Sequence, residues 1–332
     1  FLLSWMGSSR ILYGIAFLLL ALSFVAVSEL WARQRVAAAV FLLLTSGFAE
    51  FEARSQAAAG FHDIDTDYQR LQVVDAEDPE HGRPVRILKS EEANTQSAIY
   101  LDGDELYSDY LRYFDLARDT GRPLRRVLMI GAAGYVYPMH LAREVPEISI
   151  DVVEIDPAMT RIARQYFGLH EFSGLRIFHE DGRTFVNRAA RQAPETYDAI
   201  FLDAFQTRVP PFQLLTVEFV RNLERLLSPQ GVVVLNFIAR ADASGRGLGP
   251  AVVSAYSDVL PAVQVFAVHP DQGNEAVQNL VLFASRTPVV FQRNTVIDGV
   301  RMATALRQEL SRATGLLLTD DFAPVEYLVS GR

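Results

Sequence analysis

Val127-Leu-Met-Ile-Gly131-Ala-Ala-Gly134-Tyr-Val136 decides the fold: an unbroken apolar run, then a glycine-bearing loop, then the start of a helical pattern. A short run with no polar alternation predicts a strand buried on both faces, Arg126–Ile130. The same order repeats downstream. Ile148–Val153 reads as a strand ending in Glu154-Ile-Asp156-Pro157, Leu175–His179 leads to Glu180-Asp181-Gly182, and Tyr197–Leu202 leads to Asp203, with helical patterns such as Tyr137–Glu144 between them. An amphipathic helix is expected over Leu214–Leu227, a turn at Ser228-Pro-Gln-Gly231, and an apolar strand over Gly231–Phe237. Strands alternating with helices predict a mostly parallel, Rossmann-like α/β sheet with helices on both faces. Val263–Val268 and Leu280–Ala284, separated by polar Pro270–Asn279, read as an antiparallel pair at the sheet edge.

In such sheets ligands bind at the carboxyl ends of the strands. Those ends supply the candidate residues: Gly131 and Gly134 in the first loop, Glu154 after the second strand, Asp181 after the third and Asp203 after the fourth. Glycines let a ligand approach the backbone, although Ala133 and Val136 break the G-x-G-x-x-G pattern. Glu154 lies roughly 20 residues on, where a carboxylate can accept both ribose hydroxyls. Asp181 can accept from an adenine amino group. Each acid has a plainer use: Asp181-Gly182 as a turn, Glu154 as a helix N-terminal charge, Asp203 as the cap of the following loop. Consecutive strand ends carrying Gly, Glu, Asp and Asp favour an adenine-nucleoside ligand.

Upstream, residues 60–120 read as a small β region plus a helix. Strands are expected at Tyr68–Val74, Val85–Lys89 and Ala98–Leu101, and a helix over Asp104–Ala117. Gly121-Arg-Pro123 then starts the Rossmann-like domain, residues 121–332. Residues 1–59 form a membrane segment. Ile11–Ser28 is uncharged and long enough to span, flanked by Trp5, Arg10, Trp31, Arg33 and Arg35; Val36–Ala49 is a shorter apolar run. A signal peptide would need a small-residue cleavage site, which this stretch lacks. Arginines between the runs favour the cytoplasm, so the soluble domain lies outside if both runs span and in the cytoplasm if only the first does.

The net charge of −9 argues against a nucleic-acid partner. With no cysteine there is no disulfide or thiolate chemistry, and the six histidines lack ligand spacing, so no metal site is read.

Taken in order, Val127-Leu-Met-Ile-Gly131, Val153-Glu-Ile-Asp-Pro157, Glu180-Asp-Gly182, Tyr197-Asp-Ala-Ile-Phe-Leu-Asp203, Thr216-Val-Glu-Phe219, Asn279-Leu-Val-Leu-Phe-Ala284 and Thr319-Asp-Asp-Phe-Ala-Pro-Val325 resemble the spermidine/spermine synthase family, in particular its membrane-attached bacterial branch. The resemblance runs from about Tyr68 to Tyr327. It implies a methyltransferase-type sheet and an aminopropyl-type transfer. The ligand it implies is S-adenosylmethionine, its decarboxylated form or methylthioadenosine, and the location a bacterial inner membrane with lipid contact. By the resemblance Glu154 holds the ribose, Asp181 the adenine, Gln69 and, more loosely, Gln96 the nucleoside, and Asp203 deprotonates the attacking amine.

The chain departs from the family at its cation-binding acids. The family's Gly-Gly-Gly-Asp loop is Gly131-Ala-Ala-Gly134, and its Asp-Ser-Ser-Asp stretch is Asp203-Ala-Phe-Gln206. The nucleoside half is kept and the polyamine half depleted, which predicts poor use of putrescine. Two other functions remain open on the sequence: an S-adenosylmethionine-dependent methyltransferase, and a non-catalytic accessory subunit of a membrane complex.

Overall fold

The computed structural model describes residues 60–90, 95–122, 124–204, 210–291, 296–297, 300–301 and 305–330, with isolated positions before residue 60. The chain divides into two compact units, Phe1–Asp102 and Gly103–Arg332. Most of the expected membrane segment, including nearly all of Val36–Ala49, lies outside the described residues, as does Gln206. Among the described residues no helix is long and apolar enough to cross a membrane.

The first unit carries an antiparallel sheet in the order β1 (Phe61–Asp65), β2 (Arg70–Glu77), β3 (Pro84–Ser90), β4 (Thr95–Tyr100). Its first strand escapes the sequence reading because Phe61-His-Asp-Ile-Asp65 is short and half polar. The partner supplies the reason to be a strand: all five residues pair in register with Arg70–Val74. Leu71, Val73 and Leu88 are fully buried on one face, as alternation and the Val73–Leu88 pairing require.

The second unit begins with α1 (Asp109–Phe114), continued by a 3-10 turn, Asp115–Thr120. The helix expected from Asp104 therefore starts five residues later. The Leu106 carbonyl is taken by the Arg112 guanidinium at 2.8 and 3.1 Å, which holds the preceding segment out of the helix. The sheet follows as β5 (Arg126–Ile130), β6 (Ser149–Val153), β7 (Leu175–Phe178), β8 (Tyr197–Leu202), β9 (Leu227–Arg240), β10 (Ala262–Ala267) and β11 (Val277–Ser285), in the spatial order β10-β11-β9-β8-β5-β6-β7. Strands β5 to β9 run parallel, and the β10–β11 pair is antiparallel, as expected. The helices between them are α2 (Val136–Glu144), α3 (Pro157–Tyr166), α4 (Gly182–Gln192), α5 (Val217–Leu226) and α6 (Leu248–Ser257).

Two downstream boundaries differ from expectation. The helix expected from Leu214 starts at Val217, because Thr216 caps it through its hydroxyl and a 3-10 turn occupies Phe212–Leu214. Ser228-Pro-Gln-Gly231 is not a free turn but part of β9, since Leu227 already pairs with Tyr197 across an irregular register. Gly231 fits there because a Cβ would stand 2.8 Å from the Tyr197 carbonyl oxygen.

On one face α5 and α6 bury Val220, Leu223, Val252 and Tyr256 against Val233, Leu235 and Phe237. On the other, Phe114 of α1 meets Tyr137 of α2 and Phe201 of β8 with ring centroids 5.1 and 5.2 Å apart. This aromatic cluster fixes α1 over β8, which matters for the site. Chain order reverses between β5 and β8, and the crevice at that switch point is where open α/β sheets take ligands.

Candidate active site

Backbone bonds continue the sheet past the ends of its strands and so align the loops. Gly131 N–H donates to the Val153 carbonyl at 2.9 Å, Glu154 N–H to the Phe178 carbonyl at 3.0 Å, and Asp203 N–H to the Ile130 carbonyl at 2.9 Å. Gly131 has φ +76°, and a Cβ there would lie 2.4 Å from the Asp203 carbonyl oxygen. Only glycine allows that approach. Beyond it, Ala133 and Tyr135 also take left-handed φ values of 43° and 58°, a conformation costing about 1–2 kcal/mol per non-glycine residue. Tyr135 is held by full burial and by a 2.7 Å bond between its hydroxyl and Thr160, which in turn meets His179 at 2.9 Å. Backbone strain kept in this way is typical of ligand-binding loops. Gly134 sits in the middle of this turn, ahead of α2, whose first turn carries no acid.

Glu154 is 3 % exposed. Its carboxylate accepts from Ala132 N–H at 3.2 Å and Asp156 N–H at 3.0 Å, so it braces the glycine loop. Burial pushes its pKa up, and these backbone donors oppose the shift. Each carboxylate oxygen has a second lone pair, which leaves capacity for hydroxyl donors. The plainer role as helix cap belongs to Asp156, which accepts from Ala158 N–H at 2.8 Å.

Asp203 is the centre of a hydrogen-bond array. Tyr110 of α1 donates to Oδ2 at 2.8 Å, and Asn236 of β9 donates to Oδ1 at 2.9 Å. Asn279 of β11 donates to the Asn236 amide oxygen at 2.9 Å, orienting that amide. Burial pushes the Asp203 carboxyl above the usual range, with Asn236 and Tyr110 pulling the other way. Burial and the neighbouring Asp203 charge hold Tyr110 well above ordinary phenol values, so it stays a donor. No cationic side chain is hydrogen-bonded to Asp203 among the described residues. The result is a carboxylate ready to accept a proton or pair with a cation brought by a ligand. Among the described residues its two oxygens bond side chains of α1 and β9 rather than capping the loop that follows.

Asp181 does cap a helix: its Oδ1 accepts from Thr184 N–H at 2.8 Å at the start of α4. The side chain is half-buried. Next along α4, Arg183 bonds the Gln213 carbonyl at 2.7 Å and the Thr216 hydroxyl at 2.9 Å, and pairs with Asp320. That clamp gives the Thr319-Asp-Asp-Phe322 motif a structural use. Gln69 and Gln96 belong to the first unit. Gln69 closes a tight turn with Thr66, and its side-chain nitrogen is buried with no hydrogen-bond partner among the described residues; Gln96 lies on β4.

Sequence reasoning missed Tyr110, Asn236 and Asn279. Tyr110 falls on an amphipathic helix where tyrosine reads as packing, and the asparagines interrupt apolar strands. An asparagine inside a buried strand is the signal that could have found them, because a buried amide needs a partner.

Fold and site together define a Rossmann-like α/β chain of the methyltransferase type, with a small antiparallel β unit. Residues 114–237, which contain Gly131, Glu154, Asp181, Asp203 and Asn236, match the family model for the spermine/spermidine synthase domain. The chain is 27 % identical over 282 residues to the polyamine aminopropyltransferase of Vibrio vulnificus (strain CMCP6), covering 80 % of this chain and 90 % of that protein. It is 29 % identical over 146 residues to the eEF1A lysine and N-terminal methyltransferase of Bos taurus, which is 42 % of this chain and only 20 % of that enzyme's length. The fold is that of a probable spermidine synthase from Corynebacterium glutamicum ATCC 13032, with a TM-score of 0.63 and 19 % identity, over 77 % of this chain and 95 % of the other. The domain model and the curated relative support the resemblance to the spermidine/spermine synthase family, and the structural neighbour shows the fold; none of them addresses membrane attachment.

Proposed function

We propose that the chain is a membrane-attached transferase of the aminopropyltransferase type, which binds an adenine sulfonium nucleoside and transfers its propyl-bearing group to an amine acceptor. The observation that carries this reading is Asp203 at the switch point, held by Tyr110 and Asn236 and free of any cationic hydrogen-bond partner among the described residues. A sulfonium already activates its carbons, so the protein's task is alignment and proton removal. The amine nitrogen attacks the carbon next to sulfur, the C–S bond breaks with its electron pair going to the thioether, and Asp203 takes the proton. S-adenosylmethionine, its decarboxylated form and methylthioadenosine all carry the ribose and adenine that Glu154 and Asp181 suit. Gly134 and Gln206 stand where the family has acids, so a dicationic acceptor such as putrescine is disfavoured.

Calorimetric titration of the three nucleosides tests the reading. Glu154→Ala is expected to weaken binding by about 1–3 kcal/mol, the value of charge-assisted bonds to ribose hydroxyls. Asp181→Asn keeps the helix cap, since asparagine caps as well as aspartate. It puts an amide donor where the adenine amino group needs an acceptor, and a similar loss is expected with no change in Tm. Unchanged affinity in both variants would overturn the assignment.

Attachment through residues 1–49 is supported by the uncharged Ile11–Ser28 run with its flanking arginines and tryptophans. We place the protein at a bacterial inner membrane with the soluble part cytoplasmic, where sulfonium nucleosides are made. Full-length protein is expected to stay with membranes through a carbonate wash; release into the supernatant would contradict a spanning helix. A second reading, methyl transfer on the same sheet, is favoured by the match to the Bos taurus methyltransferase. The leaving product separates the two: methylthioadenosine for aminopropyl transfer, S-adenosylhomocysteine for methyl transfer.

A further inference from the structure

Strand β9 outruns its neighbour. Its pairing with β8 ends at Leu235 opposite Leu202, yet it continues to Arg240, paired only with β11 from Val277 onward. Side chains alternate along a strand, so Asn236, Ile238 and Arg240 share one face. That face reads, from the sheet edge outward, amide, aliphatic, guanidinium. Asn236 already touches Asp203. Ile238 and Arg240 line a cavity of about 820 Å³, whose other walls include Asp242, Ser244, Arg246 and Tyr327. The size suits a small-molecule site.

The charges in this cavity are unbalanced. Asp242 is the one acid among its lining residues, and it is turned to the backbone N–H and hydroxyl of Ser244. Neither the Arg240 nor the Arg246 guanidinium has a hydrogen bond or ion pair among the described residues. Two guanidiniums without carboxylate partners, facing one cavity, are arranged for an oxyanion. A dicationic acceptor would meet repulsion there.

We infer that the acceptor is a zwitterion: its amine pairs with Asp203, an apolar stem crosses Ile238, and a terminal carboxylate or phosphate is held by Arg240 and Arg246. This rests on the assignment of Asp203 to the acceptor amine. From Asn236 to Arg240 the strand rises roughly 13 Å, at about 3.3 Å per residue. Side-chain reach shortens the span, so a stem of about eight carbons bridges the two ends. The absence of acids at the family's cation sites and the two arginines here then have one cause, the charge of the acceptor's far end.

Titration calorimetry on the whole protein with matched probes tests this: 8-aminooctanoate, 8-aminooctyl phosphate and 1,8-diaminooctane, each with and without saturating methylthioadenosine. At least one oxyanion probe is expected to bind about tenfold or more tightly than the diamine, and the better of the two identifies the anion. Arg240→Gln combined with Arg246→Gln should remove that preference, and Arg240→Glu should turn it toward the diamine. Both side chains are exposed, so folding is not at stake, and unchanged Tm checks this. Equal or tighter binding of the diamine by the wild type, no binding of either oxyanion probe, or an unaltered preference in the double variant would each overturn the inference. Failure of the transferase reading shows separately, as absence of methylthioadenosine binding or as aminooctanoate affinity that ignores Asp203→Asn.

Discussion

Asp203→Asn is expected to lower turnover with any amine acceptor by about 10²- to 10⁴-fold, the usual contribution of a positioned general base. Nucleoside affinity should hardly change, because the ribose and adenine are assigned to Glu154 and Asp181. The substitution is nearly isosteric, and its oxygen can still accept from Asn236 while its amide faces the Tyr110 hydroxyl. Stability should move the opposite way to activity. Burial raises the folded-state pKa of Asp203 above its unfolded value. Between those two values the folded state binds more protons, so stability falls as pH rises through the window, and above it the ionised carboxylate is a burden. The variant is therefore expected to have a Tm at pH 7 equal to or above that of the wild type, and the advantage should vanish at a pH below the unfolded value. Scanning calorimetry at the two pH values, beside a turnover assay, reads both effects. A variant that keeps turnover, or loses activity and melts lower at pH 7, would contradict the role.

Gly131→Ala should be strongly damaging for a single added methyl. The residue sits at φ +76°, which alone disfavours alanine by roughly 1 kcal/mol. The added Cβ would also stand 2.4 Å from the Asp203 carbonyl oxygen and 2.8 Å from Ala204 Cα, both backbone atoms with no easy escape. Relief requires separating the β5 loop from the β8 loop, which breaks the Asp203 N–H bond to Ile130. A destabilisation of about 3 kcal/mol or more follows, within the range for overpacking joined to backbone strain. Because the displaced backbone carries Asp203, activity should fall with stability, unlike in Asp203→Asn. Urea unfolding of the two variants side by side distinguishes these modes; a Gly131→Ala protein as stable as wild type would show that the close approach is not maintained in solution.

Much of this site is legible in the sequence because strand ends are. Apolar runs such as Val127–Ile130 and Ala199–Leu202 mark buried strands, and whatever follows them must lie at the ligand edge; Gly131, Glu154 and Asp203 need no more information than that. Asp181 is legible as a strand-end acid, yet its chemistry is shared between cap and ligand, and only the structure reveals the Thr184 bond. Tyr110, Asn236 and Asn279 are illegible for a different reason: their role depends on which strands become neighbours. β11 lies beside β9 although β10 intervenes in the chain, and no local pattern encodes that return. The late start of α1 and the early start of β9 are also tertiary effects, set by Arg112 on the Leu106 carbonyl and by pairing of Leu227 with Tyr197.

A co-crystal structure with methylthioadenosine tests the nucleoside assignment most directly. The ribose hydroxyls should lie within hydrogen-bonding distance of the Glu154 carboxylate, the adenine amino group beside Asp181, and the thioether sulfur above Gly131 on the side of Asp203. A nucleoside bound elsewhere, or an empty switch-point crevice at saturating ligand, would contradict it.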